Sequence, residues 1–188
     1  MEKSFEVTSG TLVCSDPCYS LDVWCMGFVN NVKKGKWNAY VEWIDLGGWG
    51  ERIAMLVVHH QDNKSIKIDF NNPLNFDAGV DSGQFGFFDK DFYRNDESAK
   101  GLSKYDFNGD FGLKEEGDEW YRVCCALTLS EDSWGVLPNG AVSSSGIGDG
   151  SYDVFQQVND EGEVIALCCV YLSEDDIEEE DEWLEEEE

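Results

Sequence analysis

Acidic residues that follow short strand-like segments are the side chains of this sequence best placed for ligand chemistry. Residues 9–19 and 82–93 repeat one pattern: a Ser-Gly turn, a five-residue strand, an aspartate (Asp16 or Asp89) and a tyrosine. A diverged duplication would explain the repeat, and so would the recurrence of turn–strand–turn units in β proteins. The candidate ligand-binding residues are Asp16, Asp81, Ser82, Asp89 and Asp149.

Asp149 belongs to a glycine-rich segment, SSSGIGDGSY at residues 143–152, that has some likeness to a phosphate-binding loop. The segment has no lysine and is followed by a predicted strand rather than a helix, so the phosphate-loop pattern fails. Gly146, Gly148 and Gly150 instead indicate backbone with positive φ. We therefore expect Asp149 to accept backbone N–H groups and fix the loop, with ligand binding as the alternative.

A weak metal-site pattern lies in the acidic segment YDFNGDFG. Asp106, Asn108 and Asp110 alternate like the first oxygen ligands of a calcium loop. An EF-hand starting there would need glycine and a bidentate acid at two later positions, which Phe111 and Gly117 occupy. The pattern therefore predicts a turn with solvated carboxylates, or at most a generic cation site.

The seven cysteines indicate a reducing compartment, because their number is odd and two adjacent pairs lie in apolar segments. Cys124 with Cys125 and Cys168 with Cys169 read as strand residues, so each pair should point one thiol to each face. We expect buried, reduced thiols. The alternative is a zinc site drawn from Cys14, Cys18, Cys25 and either His59 or His60. Its spacing matches no common zinc module, and no cofactor is expected.

Catalytic motifs are weak in this chain. The two histidines are adjacent at the end of a predicted strand, and there is no Gly-x-Ser-x-Gly or comparable nucleophile motif. Carboxylate pairs are not diagnostic among forty acidic residues. The sequence favours a non-enzymatic protein.

The net charge of the chain limits the classes of partner that it can attract. The formal net charge is −27, and the last sixteen residues hold twelve acidic residues and no basic one. Residues 1–172 keep 28 acidic and 13 basic residues, a net charge of about −15. Such a field repels nucleic acid phosphate and anionic lipid and attracts basic protein surfaces. Solubility alone is the simpler explanation of the charge.

Hydrophobic patterning predicts a mostly β fold, a single-domain antiparallel sandwich or strongly curved sheet with little helix. The all-β domain covers residues 1–172, and residues 173–188 form an acidic tail, disordered or loosely helical. The predicted strands cover residues 2–7, 11–14, 36–44, 52–59, 65–70, 84–88, 120–129, 152–158 and 163–172. A helical turn is expected at residues 21–26, and residues 89–117 read as a long irregular excursion.

The sequence shows neither a membrane span nor a secretory signal. The longest apolar runs are far shorter than the ~20 residues of a membrane span. The N-terminus lacks the basic start and apolar stretch of a secretory signal. A cytoplasmic protein is therefore expected.

Several motifs together resemble an uncharacterised family of bacterial and phage proteins, a domain of unknown function of about this size. They are SGTLVCSDPCY, GKWNAYVE, GWGERI, GVDSGQFGFFD and SGIGDGSY, in this order along residues 9–152. The resemblance implies one mostly β domain of bacterial or phage origin. It implies no reaction, ligand or catalytic residue.

Two functions are consistent with these observations. The first is a non-enzymatic acidic interaction protein that binds a basic partner surface, with a phage host-takeover or anti-defence role, including DNA mimicry, as one form. The second is a small-ligand or cation-binding β domain that uses the aspartate and glycine loops. Neither involves direct nucleic acid binding or a membrane.

Overall fold

The computed structural model describes residues 2–76, 78–102 and 115–173, and within them the chain is mostly β. The strands are β1 (Lys3–Val7), β2 (Thr11–Ser15), β3 (Gly27–Asn30), β4 (Gly35–Asp45), β5 (Glu51–His60), β6 (Ala78–Val80), β7 (Gln84–Asp89), β8 (Trp134–Leu137), β9 (Gly140–Ser144), β10 (Gly150–Val158) and β11 (Val164–Val170). The helices are α1 (Asp96–Ala99) and α2 (Asp118–Thr128), with 3-10 turns at Gly47–Trp49 and Lys90–Phe92. The mostly β antiparallel fold is confirmed.

One sheet has six strands in the order β1-β4-β5-β11-β10-β6, all antiparallel to their neighbours. The predicted hairpins β4–β5 and β10–β11 are confirmed. The register between β4 and β5 shifts after Glu42, so that Ala54 forms a bulge in β5. β11 is central and buried on both faces, as its almost continuous apolar run predicts.

The other sheet has five strands in the order β3-β2-β7-β9-β8. Strands β2 and β7 were expected, whereas β3, β6 of the first sheet, and the β8–β9 hairpin around Pro138 and Asn139 were not. The two sheets face each other across one core. Its largest fully buried side chains include Leu12, Trp37, Leu56, Phe85, Phe87 and Leu167. Burial of each of these leucine and phenylalanine side chains is worth about 1.5–3 kcal/mol relative to exposure.

Residues 120–129 are not a strand, so that prediction is wrong: residues 120–128 belong to α2, and Leu129 follows the end of the helix. Trp120, Val123, Cys124 and Leu127 recur at i, i+3, i+4 and i+7, the spacing of an amphipathic helix. Their stripe packs on the five-stranded sheet, on the face that points away from the first core. The adjacent cysteines of this segment therefore sit on a helix, not on two faces of a strand.

A second, smaller core joins α2 to the five-stranded sheet. Trp120 packs against Phe88 with ring centroids 4.8 Å apart and against Tyr93 at 5.1 Å. Val13 of β2 and Val142 of β9 complete the sheet side of this core. One face of β2, β7 and β9 thus meets the other sheet, and the opposite face meets α2.

Two further local predictions are wrong. Residues 65–70 form no strand; this segment bonds to the Gln157 side chain, which accepts from Lys67 N at 2.8 Å and donates to Ser65 O at 3.3 Å. Side-chain bonds to β10 therefore replace a backbone ladder. Residues 21–26 form turns without a helix.

The excursion at residues 89–117 contains a 3-10 turn and α1 before residues 103–114, which lie outside the described part of the chain. The metal candidates Asp106, Asn108 and Asp110 lie in that gap, and the tail beyond Ser173 is likewise outside the described residues. In the described ranges, no helix has the length and apolar character needed to cross a membrane.

Candidate functional site

The antiparallel pair of β2 and β7 brings the two repeated segments of the sequence side by side. Leu12 lies opposite Asp89 and Ser15 lies opposite Gly86. Because the strands run in opposite directions, the aspartate that ends each strand reaches the turn that precedes the other. Asp16 and Asp89 therefore occupy equivalent positions at opposite ends of one strand pair.

Asp16 is fully buried and its carboxylate accepts four hydrogen bonds. Two come from backbone N–H groups of the turn before β7: Asp81 at 2.9 Å and Ser82 at 2.7 Å. The Ser82 hydroxyl donates at 2.6 Å, and the N–H of Cys18 at 2.8 Å. The carboxylate holds its own loop and the opposing turn together.

Asp89 repeats this arrangement at the other end of the pair. It is also fully buried, and it accepts from Thr8 N, from Thr8 Oγ1 at 3.1 Å, from Ser9 N at 3.0 Å and from Asp91 N at 3.1 Å. Burial opposes ionisation, but the bonds from Thr8, Ser9 and Asp91 outweigh it and hold the pKa of Asp89 below its ordinary value.

The sequence repeat thus corresponds to a local two-fold arrangement of reciprocal caps. In each cap, the aspartate at the end of one strand accepts hydrogen bonds from the turn that precedes the other strand. Gly10 and Gly83 follow the capped turns with φ of +79° and +67°, a region that favours glycine. Each carboxylate is satisfied by the protein itself and has no exposed surface. This geometry explains the shared Ser-Gly and aspartate positions by structure, whether or not the segments arose by duplication.

The loop after Asp16 is anchored by the segment after β7. Tyr93 donates its hydroxyl to the carbonyl oxygens of Asp16 at 3.2 Å and Tyr19 at 2.8 Å. Arg94 donates from one guanidinium nitrogen to the carbonyl oxygens of Pro17 and Cys18, both at 3.1 Å. The DPCY motif is therefore a braced loop.

Asp96 and Asp118 extend this bracing to the start of α2. The Asp96 carboxylate accepts from the N–H groups of Gly117 and Trp120, both at 3.0 Å. Asp118 lies 3.8 Å from the Arg94 guanidinium. An anionic group at a helix N-terminus also interacts favourably with the helix dipole.

A small polar cluster lies where this loop meets α2 and the start of β7. Gln84 donates to Ser82 Oγ at 3.2 Å and to Cys125 Sγ at 3.6 Å, and it accepts from Thr128 Oγ1 at 2.9 Å. Gln84 and Thr128 are buried, whereas Ser82 and Cys125 are half-buried. Sequence reasoning identified only Ser82 of this group, because Gln84 and Cys125 meet only through the packing of α2.

The half-buried thiol of Cys18 lies at the same place but is a poor nucleophile. Burial, then the nearby Asp16 and Asp81 carboxylates, raise the pKa of Cys18 to about 12. A thiol with such a pKa stays protonated near neutral pH. Both histidines lie on β5 in the other sheet, where His60 Nε2 is 3.2 Å from Lys34 O.

All seven cysteines are free, five of them buried and Cys18 and Cys125 half-buried. On β11, Cys169 faces the core between the sheets, while Cys168 lies on the opposite face of its sheet, where it is also buried, 3.7 Å from Met55 Sδ. The predicted division of this pair between two faces is confirmed. Over the described ranges, no group of three or more His, Cys, Asp or Glu residues is placed to hold a metal ion.

Asp149 does not fix its loop as predicted. It is exposed, and no hydrogen bond joins its carboxylate to another residue in the described part of the chain. The loop is held instead by Ser145 Oγ, which donates to Gly148 O at 2.9 Å, and by Tyr152, whose hydroxyl donates to Gly148 O at 2.7 Å. Tyr152 lies only four residues after Gly148, and this short separation is visible in the sequence.

The candidate ligand-binding residues are therefore divided by the structure. Asp16, Ser82 and the backbone of Asp81 come together, Asp89 lies at the far end of the same strand pair, and Asp149 lies on a loop before β10 of the other sheet. Ligand binding by these residues stays a prediction. What the structure shows for Asp16 and Asp89 is a role in fixing turns.

Two facing antiparallel sheets, one α-helix packed outside them and a reciprocally capped strand pair define a single-domain β protein. Residues 5–169 match the family described as "Protein of unknown function (DUF4241)", and the chain belongs to that family. Searches of curated proteins and of solved structures gave no match.

Proposed function

We propose that this protein is a non-enzymatic acidic interaction protein that binds the basic surface of a partner protein in the cytoplasm. The observation that carries the proposal is the excess of exposed carboxylates on the folded body. Twenty acidic residues are exposed within the described ranges, against six exposed lysines and no exposed arginine. Such a surface attracts a basic partner over a range of about 8 Å at physiological salt.

Few of these carboxylates are neutralised internally. Within the described ranges, lysine or arginine pairs with an exposed acidic residue at Lys3–Asp132, Lys100–Glu97 and Arg122–Glu119. The remaining exposed acidic residues keep their charge available for a partner. The three buried acidic residues of the described ranges, Asp16, Asp89 and Asp118, accept hydrogen bonds from the protein's own donors.

Four of the six exposed lysines in the described ranges lie in two neighbouring segments. Lys34 and Lys36 lie between β3 and the start of β4, and Lys64 and Lys67 follow β5. The two segments are joined by Gln61, whose N–H donates to Lys36 O at 2.9 Å and whose carbonyl accepts from Lys64 Nζ at 2.7 Å. This concentration leaves the other surfaces more acidic than the average charge indicates.

The family resemblance suggests a concrete form of this function. For a protein of bacterial or phage origin, an acidic surface suits host takeover or anti-defence, in which the protein occupies the basic surface of a host factor. DNA mimicry is the version in which rigid carboxylates take the places of phosphates. The rigid sheets favour that version over a flexible polyanion.

The test is capture of a partner from an extract of the source cell, followed by association kinetics with the purified partner. We compare the wild type with two double variants, Glu131→Gln/Glu161→Gln and Lys34→Gln/Lys36→Gln, which change the net charge by two in opposite directions. Long-range attraction predicts slower association for the first variant and faster association for the second, each by about two- to fivefold at low salt. Dissociation should change less.

A partner with an acidic or neutral surface would contradict the proposal. So would association rates that both variants leave unchanged. If the purified protein catalysed a reaction at a rate that did not depend on its charge, a catalytic function would replace the interaction function.

A further inference from the structure

The outer face of the six-stranded sheet carries ordered rows of side chains. Glu42 lies opposite Met55, Met55 opposite Val170, and Val170 opposite Asp153, so one row crosses β4, β5, β11 and β10. Neighbours in a strand alternate between faces, and the alternate residues Leu56 and Cys169 face the core. The row is therefore apolar in the middle and ends in a carboxylate on each side.

A cleft of about 590 Å³ lies over this row. Met55 and Val170 line it, together with Phe155, and Phe70 covers Phe155 in a T-shaped contact with ring centroids 5.3 Å apart. Phe70 itself is 53% exposed. A volume of about 300–1,000 Å³ suits a small ligand or a long side chain.

Asp153 gives this cleft its charge. It lines the cleft and is exposed, and no hydrogen bond or ion pair ties its carboxylate to another of the described residues. This state is opposite to that of Asp16 and Asp89, whose carboxylates are saturated by four donors each. An anionic ligand would be repelled by Asp153, and the surrounding surface is acidic as well.

The chemistry that complements the cleft is a cationic group on an apolar stem. Met55 and Val170 offer apolar surface to a methylene chain, the exposed ring of Phe70 attracts a cation through its face, and Asp153 provides the opposite charge. Arginine combines these features best, because its planar guanidinium stacks on aromatic rings and bonds to carboxylates.

We propose that the cleft between Phe70 and Val170 binds a guanidinium or ammonium group carried on an apolar stem, with Asp153 as its counter-ion. The proposal rests on the proposed function in one respect: a basic partner surface supplies such a group as an arginine or lysine side chain. A free organic amine or guanidine has the same chemistry. The cleft would thus be the specific contact within a broadly acidic surface.

The test uses the full-length chain, with butylguanidinium and an octa-arginine peptide as probes and titration followed by NMR and calorimetry. Asp153→Asn removes the counter-ion, and Asp160→Asn, in the exposed turn after β10, removes one charge away from the cleft. Phe70→Ala removes the exposed ring, and Val158→Ala removes apolar surface elsewhere on β10. Circular dichroism and thermal melts establish that each variant is folded.

We expect butylguanidinium to shift the resonances of Met55, Phe155 and Val170, and both Asp153→Asn and Phe70→Ala to weaken its binding at least fivefold. Asp160→Asn and Val158→Ala should change it less than twofold. Tighter binding of the octa-arginine peptide, counted per guanidinium group, than of butylguanidinium would assign the cleft to a protein partner. Tighter binding of butylguanidinium would assign the cleft to a small cation.

Equal effects of Asp153→Asn and Asp160→Asn would overturn the cleft as a site, even if the peptide still bound in a salt-dependent way; the proposed function would then stand without it. Shifts confined to residues away from the outer face would overturn it too. Binding of butylguanidinium at the cleft without any salt-dependent binding of basic proteins would leave the site and contradict the proposed function.

Discussion

The reciprocally capped pair of β2 and β7 and the outer face of the six-stranded sheet use the same residue type in opposite ways. In the first region, Asp16 and Asp89 are buried and each accepts four hydrogen bonds from the protein. In the second, Asp153 is exposed beside an apolar cleft and bonds to none of the described residues. Donors close in space, rather than the residue type, decide whether a carboxylate stabilises the fold or stays exposed to solvent.

The repeated pattern and the exposed cleft single out different aspartates in this chain. The aspartates that repeat a pattern attract attention as a site, yet the repetition arises because two antiparallel strands cap each other's turns. Asp153 follows no motif, since it lies in an ordinary strand, and only the cross-strand register places it at the cleft. Pattern indicates structural constraint here more readily than it indicates ligand chemistry.

The largest effect should come from Asp16→Asn. An amide in place of the carboxylate directs an NH₂ group at donors that now lack an acceptor, so we expect a loss of about 2–4 kcal/mol in the free energy of unfolding. Denaturant titration measures it, with Asp160→Asn as the control that changes charge without burial. A loss below about 0.5 kcal/mol would mean that the cap does not stabilise the strand pair.

The second-largest effect is expected from Asp89→Asn, and it should depend on pH. The folded pKa of Asp89 is lower than its unfolded pKa, so its contribution is fully present above the unfolded value and disappears as the pH falls through the folded value. The stability difference between wild type and Asp89→Asn should therefore be largest at neutral pH and shrink below about pH 4. A difference that grows toward pH 3 would contradict the assigned hydrogen bonds.

A smaller effect concerns the thiols. Native protein at pH 7 should expose at most Cys18 and Cys125 to a thiol reagent, and Cys18 should react slowly because its pKa is raised to about 12. Unfolded protein should titrate close to all seven thiols. Rapid reaction of three or more native thiols, or stoichiometric zinc by elemental analysis, would show a different arrangement of the cysteines.

The smallest effect is expected from removal of residues 173–188. This segment offers only Ile177, Trp183 and Leu184 as apolar contacts, too few to offset an ordering entropy of about 1–2 kcal/mol per residue. The thermal melt of residues 1–172 should overlay that of the full chain. A decrease of more than several degrees would show that the tail packs on the body.

Much of the fold could be predicted from local patterns, and the predictions that failed did so for physical reasons. Alternation in β4 and the polar turn between β10 and β11 indicated their hairpins. The segment of α2 was mistaken for a strand because its β-branched and aromatic residues outweighed the spacing of Trp120, Val123, Cys124 and Leu127. The alternating residues 65–70 form no strand because the side chain of Gln157 binds their backbone.

The candidate site was less predictable than the fold. Nothing local to Asp16 reveals that Asp81 and Ser82, more than sixty residues away, supply its donors. The cleft depends on the register of four strands and on Phe70 reaching over Phe155. Such features arise from long-range pairing, which a single sequence does not specify locally.

The most direct test of the central claim measures association with the purified basic partner as salt is raised from about 0.02 to about 0.3 M, in wild type, Asp81→Asn and Asp149→Asn. Charge distributed over the surface predicts association rates that fall by at least tenfold, dissociation that changes less, and near-normal binding by both single variants. Loss of binding in either variant, with the fold intact by circular dichroism and only a modest dependence on salt, would contradict the acidic interaction surface and establish a discrete ligand site instead.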